Sequence, residues 1–190
     1  MKKTLALAFV LMPTLALAAS APPQPHIVVI DRAAIMKFSK VGQDIARQVQ
    51  NYANQAKKDL SAQGRALQKE GQDLQQQVAI LAPDLKQKKI AAFEARQSSL
   101  QNAAQSKDDQ IRGGLIAARD AVEKVLGPVL EGIVRERGAN MVLDKQAVVY
   151  ASSPAFDITG EAIEKLNAKM STYHVTMQAP PAPSSAVARN

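Results

Sequence analysis

The chain has 190 residues, no Cys, no Trp, four Phe, three Tyr and a formal charge of +7, which leaves room for one or two modest domains. Without cysteine there is neither a disulfide framework nor a Cys-ligated metal site. Aromatic residues make up 4%, too few to close a large apolar core or to offer the stacking platforms of single-stranded nucleic-acid binders, so a compact enzyme and a nucleic-acid partner are both disfavoured.

Residues 1–18 read as a secretory signal: Lys2 and Lys3 form a positive start, Leu5 to Leu17 an apolar stretch, and Ala16-Leu17-Ala18 a small-x-small cleavage site. Roughly 13 apolar residues interrupted by Pro13 are too few to cross a ~30 Å hydrocarbon layer. The mature chain is expected to begin near Ala19, with 22 basic and 17 acidic side chains. An exported basic protein meets acidic polypeptides, anionic lipid or lipopolysaccharide rather than the genome. Residues 19–25 and 177–190 are rich in Pro, Ala and Ser without apolar periodicity, and read as a disordered linker and a disordered tail.

Between them, Ile27-Val28-Val29-Ile30 is β-branched throughout and reads as a short strand buried on both faces. More than a hundred residues later, Met141-Val142-Leu143 and Val148-Val149-Tyr150 flank the polar Asp144-Lys145-Gln146-Ala147, a pattern that predicts a β-hairpin. After Pro154, Thr159 suits a helix cap with Glu161 in the first turn, and Ile163, Leu166, Met170 and Tyr173 recur at helical spacing. Residues 26–32 and 138–176 thus form a small α+β body.

The excursion over 33–137 holds no strand signal and one natural reversal, Ala82-Pro83-Asp84. Its first arm, Ala33 to Leu81, places Ala53, Leu60, Leu67, Leu74 and Leu81 at intervals of seven, half of a heptad seam, while Gln63, Glu70 and Gln77 occupy the other half. In the second arm Ile111, Leu115, Ala118, Val122, Val125 and Val129 alternate four and three, joined by Ile116, Leu126, Leu130, Ile133 and Val134. The pattern predicts an antiparallel helical hairpin, dense at its base and loose toward its tip. Gly113-Gly114 and Gly127-Pro128 interrupt the second arm, and Pro128 predicts a bend or hinge.

A body of such short strands leaves open edges and is too small to be stable alone, so it is expected to oligomerise. The expected contacts are Ile27, Val29, Val142 and Val149 of the strands and Leu115, Val122, Val125 and Val129 of the seam. Along the arms lie Lys57, Lys58, Arg65, Lys69, Lys86, Lys88, Lys89, Arg96, Lys107 and Arg112, and from Lys37 to Arg137 there are 17 basic against 12 acidic residues. Such a surface attracts anionic chains at long range, and Lys86-Gln-Lys-Lys89 beside the tip suits anionic lipid or lipopolysaccharide. His26 and His174 stand apart from any carboxylate cluster or Gly-rich phosphate loop, so no metal, cofactor or catalytic centre is expected.

Three stretches, Ile27-Val-Val-Ile-Asp31 with Gly42 following, Met141-Val-Leu-Asp-Lys-Gln-Ala-Val-Val-Tyr-Ala-Ser152, and Asp157-Ile-Thr159, give the chain a resemblance over Ile27 to Leu166 to the Skp family of periplasmic chaperones, also called OmpH-like. The resemblance implies a homotrimer in which strands join into a β-barrel body and three helical hairpins hang around a cavity. It further implies a periplasmic holdase that shelters unfolded outer-membrane proteins without ATP. The Pro-rich tail and Gly127-Pro128 depart from the family's pattern. A coiled-coil adaptor docking one fixed envelope partner is the competing reading, and it would require a conspicuous motif at the hairpin tip, where Leu81-Ala-Pro-Asp-Leu85 offers little.

Overall fold

The computed structural model describes residues 24–181; the signal segment 1–18, most of the linker and the tail beyond Pro181 lie outside them. Strand β1 (Ile27–Ile30) leads into helix α1 (Arg32–Phe38) and helix α2 (Lys40–Gln77). The chain reverses over 78–82 and returns as helix α3 (Pro83–Glu136), which delivers it to strand β2 (Met141–Asp144) and, after two short 3-10 turns, to helix α4 (Thr159–Lys169). At 1.5 Å per residue, the 38 residues of α2 and the 54 of α3 extend about 57 and 81 Å, so the chain is a small body bearing one long helical hairpin.

The first arm is not one helix from Ala33. Asp31 caps α1 by accepting from the Ala34 amide, and Ser39, extended at φ −71° and ψ 152°, ends α1 and caps α2 through its hydroxyl on the Gly42 amide. The corner is so tight that a Cβ on Gly42 would stand 1.8 Å from the Met36 carbonyl oxygen. Glycine is required there by space, not by backbone torsion. Helix α3, in contrast, runs through both Gly113-Gly114 and Gly127-Pro128 without a break. It ends where Gly138 takes φ 62°, the left-handed residue that closes a helix and turns the chain away.

The expected hairpin does not form. β2 pairs in parallel with β1, Ile27 opposite Met141 and Ile30 opposite Asp144. Residues 145–147 wind into a 3-10 turn capped by Asp144, and 148–150 carry no strand. The Asp144 carboxylate accepts from the Gln146 amide at 3.0 Å, and such a local side-chain cap competes with a strand ladder. The chain instead swings round until Asp157 bridges the far side of β1 at Val29. β1 is therefore covered on both edges, whereas the outer edge of β2 has no partner among the described residues.

Helix α4 also differs in its ends. Thr159 is its first residue rather than its cap; Asp157 accepts from the Thr159 amide at 2.9 Å, and the Thr159 hydroxyl accepts from the Asp31 amide at 2.9 Å. Met170 is already extended, so Tyr173 lies beyond the helix and Ile163 and Leu166 carry its packing face.

Body and arm base share one core. Val28, Ile30, Ile35, Val41, Ile45, Ala118, Val122, Leu126, Val129, Ile133, Ile158, Ala162 and Leu166 are all buried in it. The base of α3 thus supplies the apolar area that two four-residue strands cannot, which is how so small a body closes within one chain.

Candidate functional site

Two surfaces and one groove stand out. The first surface is the distal hairpin. Ala53, Leu60, Leu67, Leu74 and Leu81 are each only half-buried, as are Ile90, Phe93 and Leu100 of the returning helix. Beyond Ala56 no residue of either arm is buried until Gly113. A seam with Gln and Glu at its alternate positions cannot exclude water, which leaves two long helices touching along a thin line.

The ten arm cations divide by partner. Arg96 pairs with Glu70 across the hairpin, and Lys89 donates to the Gln77 side chain at 2.6 Å. Lys107 lies over the Tyr52 ring with its Nζ 3.2 Å from the phenolic oxygen, and Arg112 stands 4.0 Å from Asp109. Lys57, Lys58, Arg65, Lys69, Lys86 and Lys88 are exposed and have no ion-pair partner among the described residues. The structure does not gather them into a pocket; they are strung along both arms. At the tip, Ile80 is 85% exposed and Leu85 is exposed beside Lys86.

The second surface lies on the body. Val149 is fully exposed and Tyr150 is 82% exposed, with Met141 and Phe156 also open to solvent. An open cleft of about 420 Å³ runs beside them, lined by Ile27, Val29, Leu143, Val148, Tyr150 and Phe156 among others. Of the expected oligomer contacts, Val122 and Val129 are buried in their own chain's core, and Leu115, Val125 and Val142 pack against it. Among these residues Val149 alone is fully exposed.

The body is stitched by ion pairs that explain its carboxylate titrations. Burial pushes the Asp157 carboxyl up, but Lys145 Nζ at 2.8 Å and the Thr159 amide and hydroxyl outweigh it, so the group ends below its ordinary value. The Gln146 amide and Arg32 lower Asp144, and Arg137 and Lys165 lower Glu161.

The groove was not legible in the sequence. Residues 170–180 do not leave the molecule; they run in extended form along the arm base between α2 and α3. Gln48 donates to the Tyr173 carbonyl at 2.7 Å and accepts from the Val175 amide at 3.0 Å, and the Gln178 amide donates to the Gln110 carbonyl at 3.3 Å. A Cβ on Gly113 would stand 2.1 Å from the Gln178 carbonyl oxygen, so the glycine pair admits the passing backbone. The tail expected to be disordered from Met177 onward is therefore seated at its start.

With this geometry the chain can be set beside known proteins. The family described as "Outer membrane protein (OmpH-like)" matches residues 26–166. The chain belongs to the OmpH-like family. Among solved structures, a candidate outer membrane chaperone (OmpH-like) from Caulobacter crescentus CB15 is similar at a TM-score of 0.74 and 21% identity, over 83% of this chain and 93% of that one. No curated protein matches the sequence. The OmpH-like match takes in both strands, the hairpin and most of α4, and it stops before the extended segment that lies along the arm base.

Proposed function

We propose that this OmpH-like protein is an ATP-independent periplasmic holdase that binds unfolded outer-membrane proteins between helical arms and keeps them from aggregating. The observation that carries the reading is the contrast along one hairpin: a tightly packed base on a closed body, and distal arms that bury almost nothing of their own while presenting unpaired cations. A binder of many unfolded chains requires a broad, adaptable surface rather than one shaped pocket. The arm excess of 17 basic over 12 acidic residues raises the encounter rate with anionic chains. Nothing in this chemistry calls for a cofactor or a covalent step.

The working unit in this reading is a homotrimer. The unpartnered edge of β2 and the exposed Met141, Val149 and Tyr150 are the surface of one chain best suited to adding strands from another. Lys86, Lys88 and Lys89, with Ile80 and Leu85 beside them, suit contact of the tip with anionic lipid or lipopolysaccharide. The same exposed Ile80 and Leu85 favour a second reading, an adaptor whose tip docks one folded envelope partner.

Stopped-flow capture of a urea-unfolded outer-membrane protein, with a folded soluble protein as control, separates the two. Holdase action predicts capture of the unfolded chain alone, slowed as salt rises, since charges on exposed arms are screened beyond a Debye length of ~8 Å at physiological ionic strength. Reversing Lys86, Lys88 and Lys89 together should slow association more than it speeds release. Salt-independent capture, or equal binding of the folded control, would sink the holdase reading.

A further inference from the structure

Over the segment Thr172–Gln178 exposure alternates residue by residue. Tyr173, Val175 and Met177 turn inward, with Val175 buried and the other two packed against the core, whereas Thr172, His174, Thr176 and Gln178 are exposed. Every hydrogen bond that holds it reaches its backbone. Gln48 reads the Tyr173 carbonyl and the Val175 amide, Asp44 accepts from the Tyr173 amide at 3.4 Å, and Gln110 accepts from the Gln178 amide. Gln48 is itself oriented by donating to Asp44 at 2.7 Å. Main-chain hydrogen bonds with seats for alternate side chains are how proteins bind extended peptides with little regard to sequence.

The floor of the groove tells the same story. Two successive glycines on a helix lower its stability, and here both lie under the passing backbone, with Cβ atoms that would stand 2.1 Å from the Gln178 oxygen and 2.9 Å from the Thr176 oxygen. An extended chain in which apolar and polar residues alternate is also the pattern of every strand of a transmembrane β-barrel.

We propose that the groove between α2 and α3 at the arm base is a binding site for extended polypeptide of alternating polarity, and that Tyr173–Gln178 is its resident occupant, a stand-in for a strand of an unfolded barrel protein that such a strand displaces. The inference rests on the holdase reading and adds to it a located, competitively guarded site. The segment guards the groove by keeping its apolar floor from water until a client arrives, and being tethered it reseats when the client leaves.

The test uses the full chain. Hydrogen exchange at the Tyr173, Val175 and Gln178 amides is followed with and without saturating urea-unfolded outer-membrane β-barrel protein. Faster exchange at all three on capture is expected; capture with these amides still protected overturns the inference and leaves the holdase reading standing, whereas no capture at all overturns both. Two substitutions separate displacement from simple bracing. Val175→Glu expels the segment but leaves the groove, and should tighten capture several-fold; Gly113→Ala obstructs the groove for resident and client alike, and should not. A shift of both in the same direction would mark the segment as a fixed brace. Helical circular dichroism checks that each variant is folded, and Val175→Ser replaces Val175→Glu if the latter loses its helices.

Discussion

The base and the distal half of the helical hairpin are made of the same two helices and behave as different materials. Near the body, Ala118, Val122, Leu126, Val129 and Ile133 of α3 are buried against α1, α2 and α4. Farther out, Leu60, Leu67 and Leu74 of α2 and Ile90, Phe93 and Leu100 of α3 are only half-buried. Helix α3 is continuous across both regions, so helicity does not distinguish them; the number of neighbours offering apolar surface does. An arm can thus be anchored like a core element and still keep a surface free for other chains.

The sharpest test of this contrast puts a charge at matched positions. Val122→Asp puts a carboxylate where the native side chain is 1% exposed, at a cost of several kcal/mol, and should leave little folded protein in a urea titration followed by circular dichroism. Leu67→Asp, on a half-buried seam open to water, should move the urea midpoint far less. Comparable losses would mean that the arms are packed as firmly as their base.

Glycines make a second matched pair. A Cβ on Gly42 meets Met36 backbone at 1.8 Å, whereas one on Gly64 has nothing within 4 Å. Gly64→Ala should therefore stabilise by up to ~1 kcal/mol through helix propensity alone. Gly42→Ala, which must push two helices apart at the Ser39 corner, should lose about 1–3 kcal/mol despite the same gain in propensity. Thermal melts of the two variants with opposite signs would confirm that α1 and α2 meet without slack.

What the sequence announced and what it hid follow one rule: local chemistry was readable, and pairing partners were not. Ile27–Ile30, the reversal at Pro83, the dense α3 base and the sparse α2 seam all follow from periodicity and turn residues. The break at Ser39 was hidden because Ala33 to Leu81 reads as helical throughout and Ser39 acts only with Gly42 against Met36. Val148–Tyr150 has the composition of a strand, but composition cannot supply the neighbour that a strand requires, and among the described residues none is present. Likewise Tyr173 looks like part of a helix, and Met177 like the start of a tail, until Gln48 and Gln110 are seen to hold the segment between them.

Acid should act on the body before the arms. Asp157, Asp144, Glu161 and Asp44 are all lowered from their ordinary values, and for Asp44 the amide of Tyr173 and the side chains of Arg47 and Gln48 overcome a burial that raises it. A group with a depressed folded value contributes stability that is full above the unfolded value, about 3.9 for Asp and 4.3 for Glu, and is lost as pH falls through the folded value. Melting temperature should hold from pH 7 to about 5 and drop below about 4. Asp157→Asn keeps an acceptor for the Thr159 amide but releases Lys145, so it should lower the plateau and flatten the acid limb.

The smallest effect belongs to the one ion pair that crosses the distal hairpin. Arg96 and Glu70 have side chains 63% and 36% exposed, and the hydrogen bond to Glu70 raises an arginine that is already charged at any working pH. Exposed pairs of this kind are screened by salt and offset by the entropy of holding two long side chains. Arg96→Gln should leave the urea midpoint unchanged, because unfolding is set by the base, and should speed hydrogen exchange only around Leu67 and Leu100, which line the same gap between the helices. A drop in the global midpoint would show that the distal arms are coupled to the core after all, and would erase the division between anchor and arm.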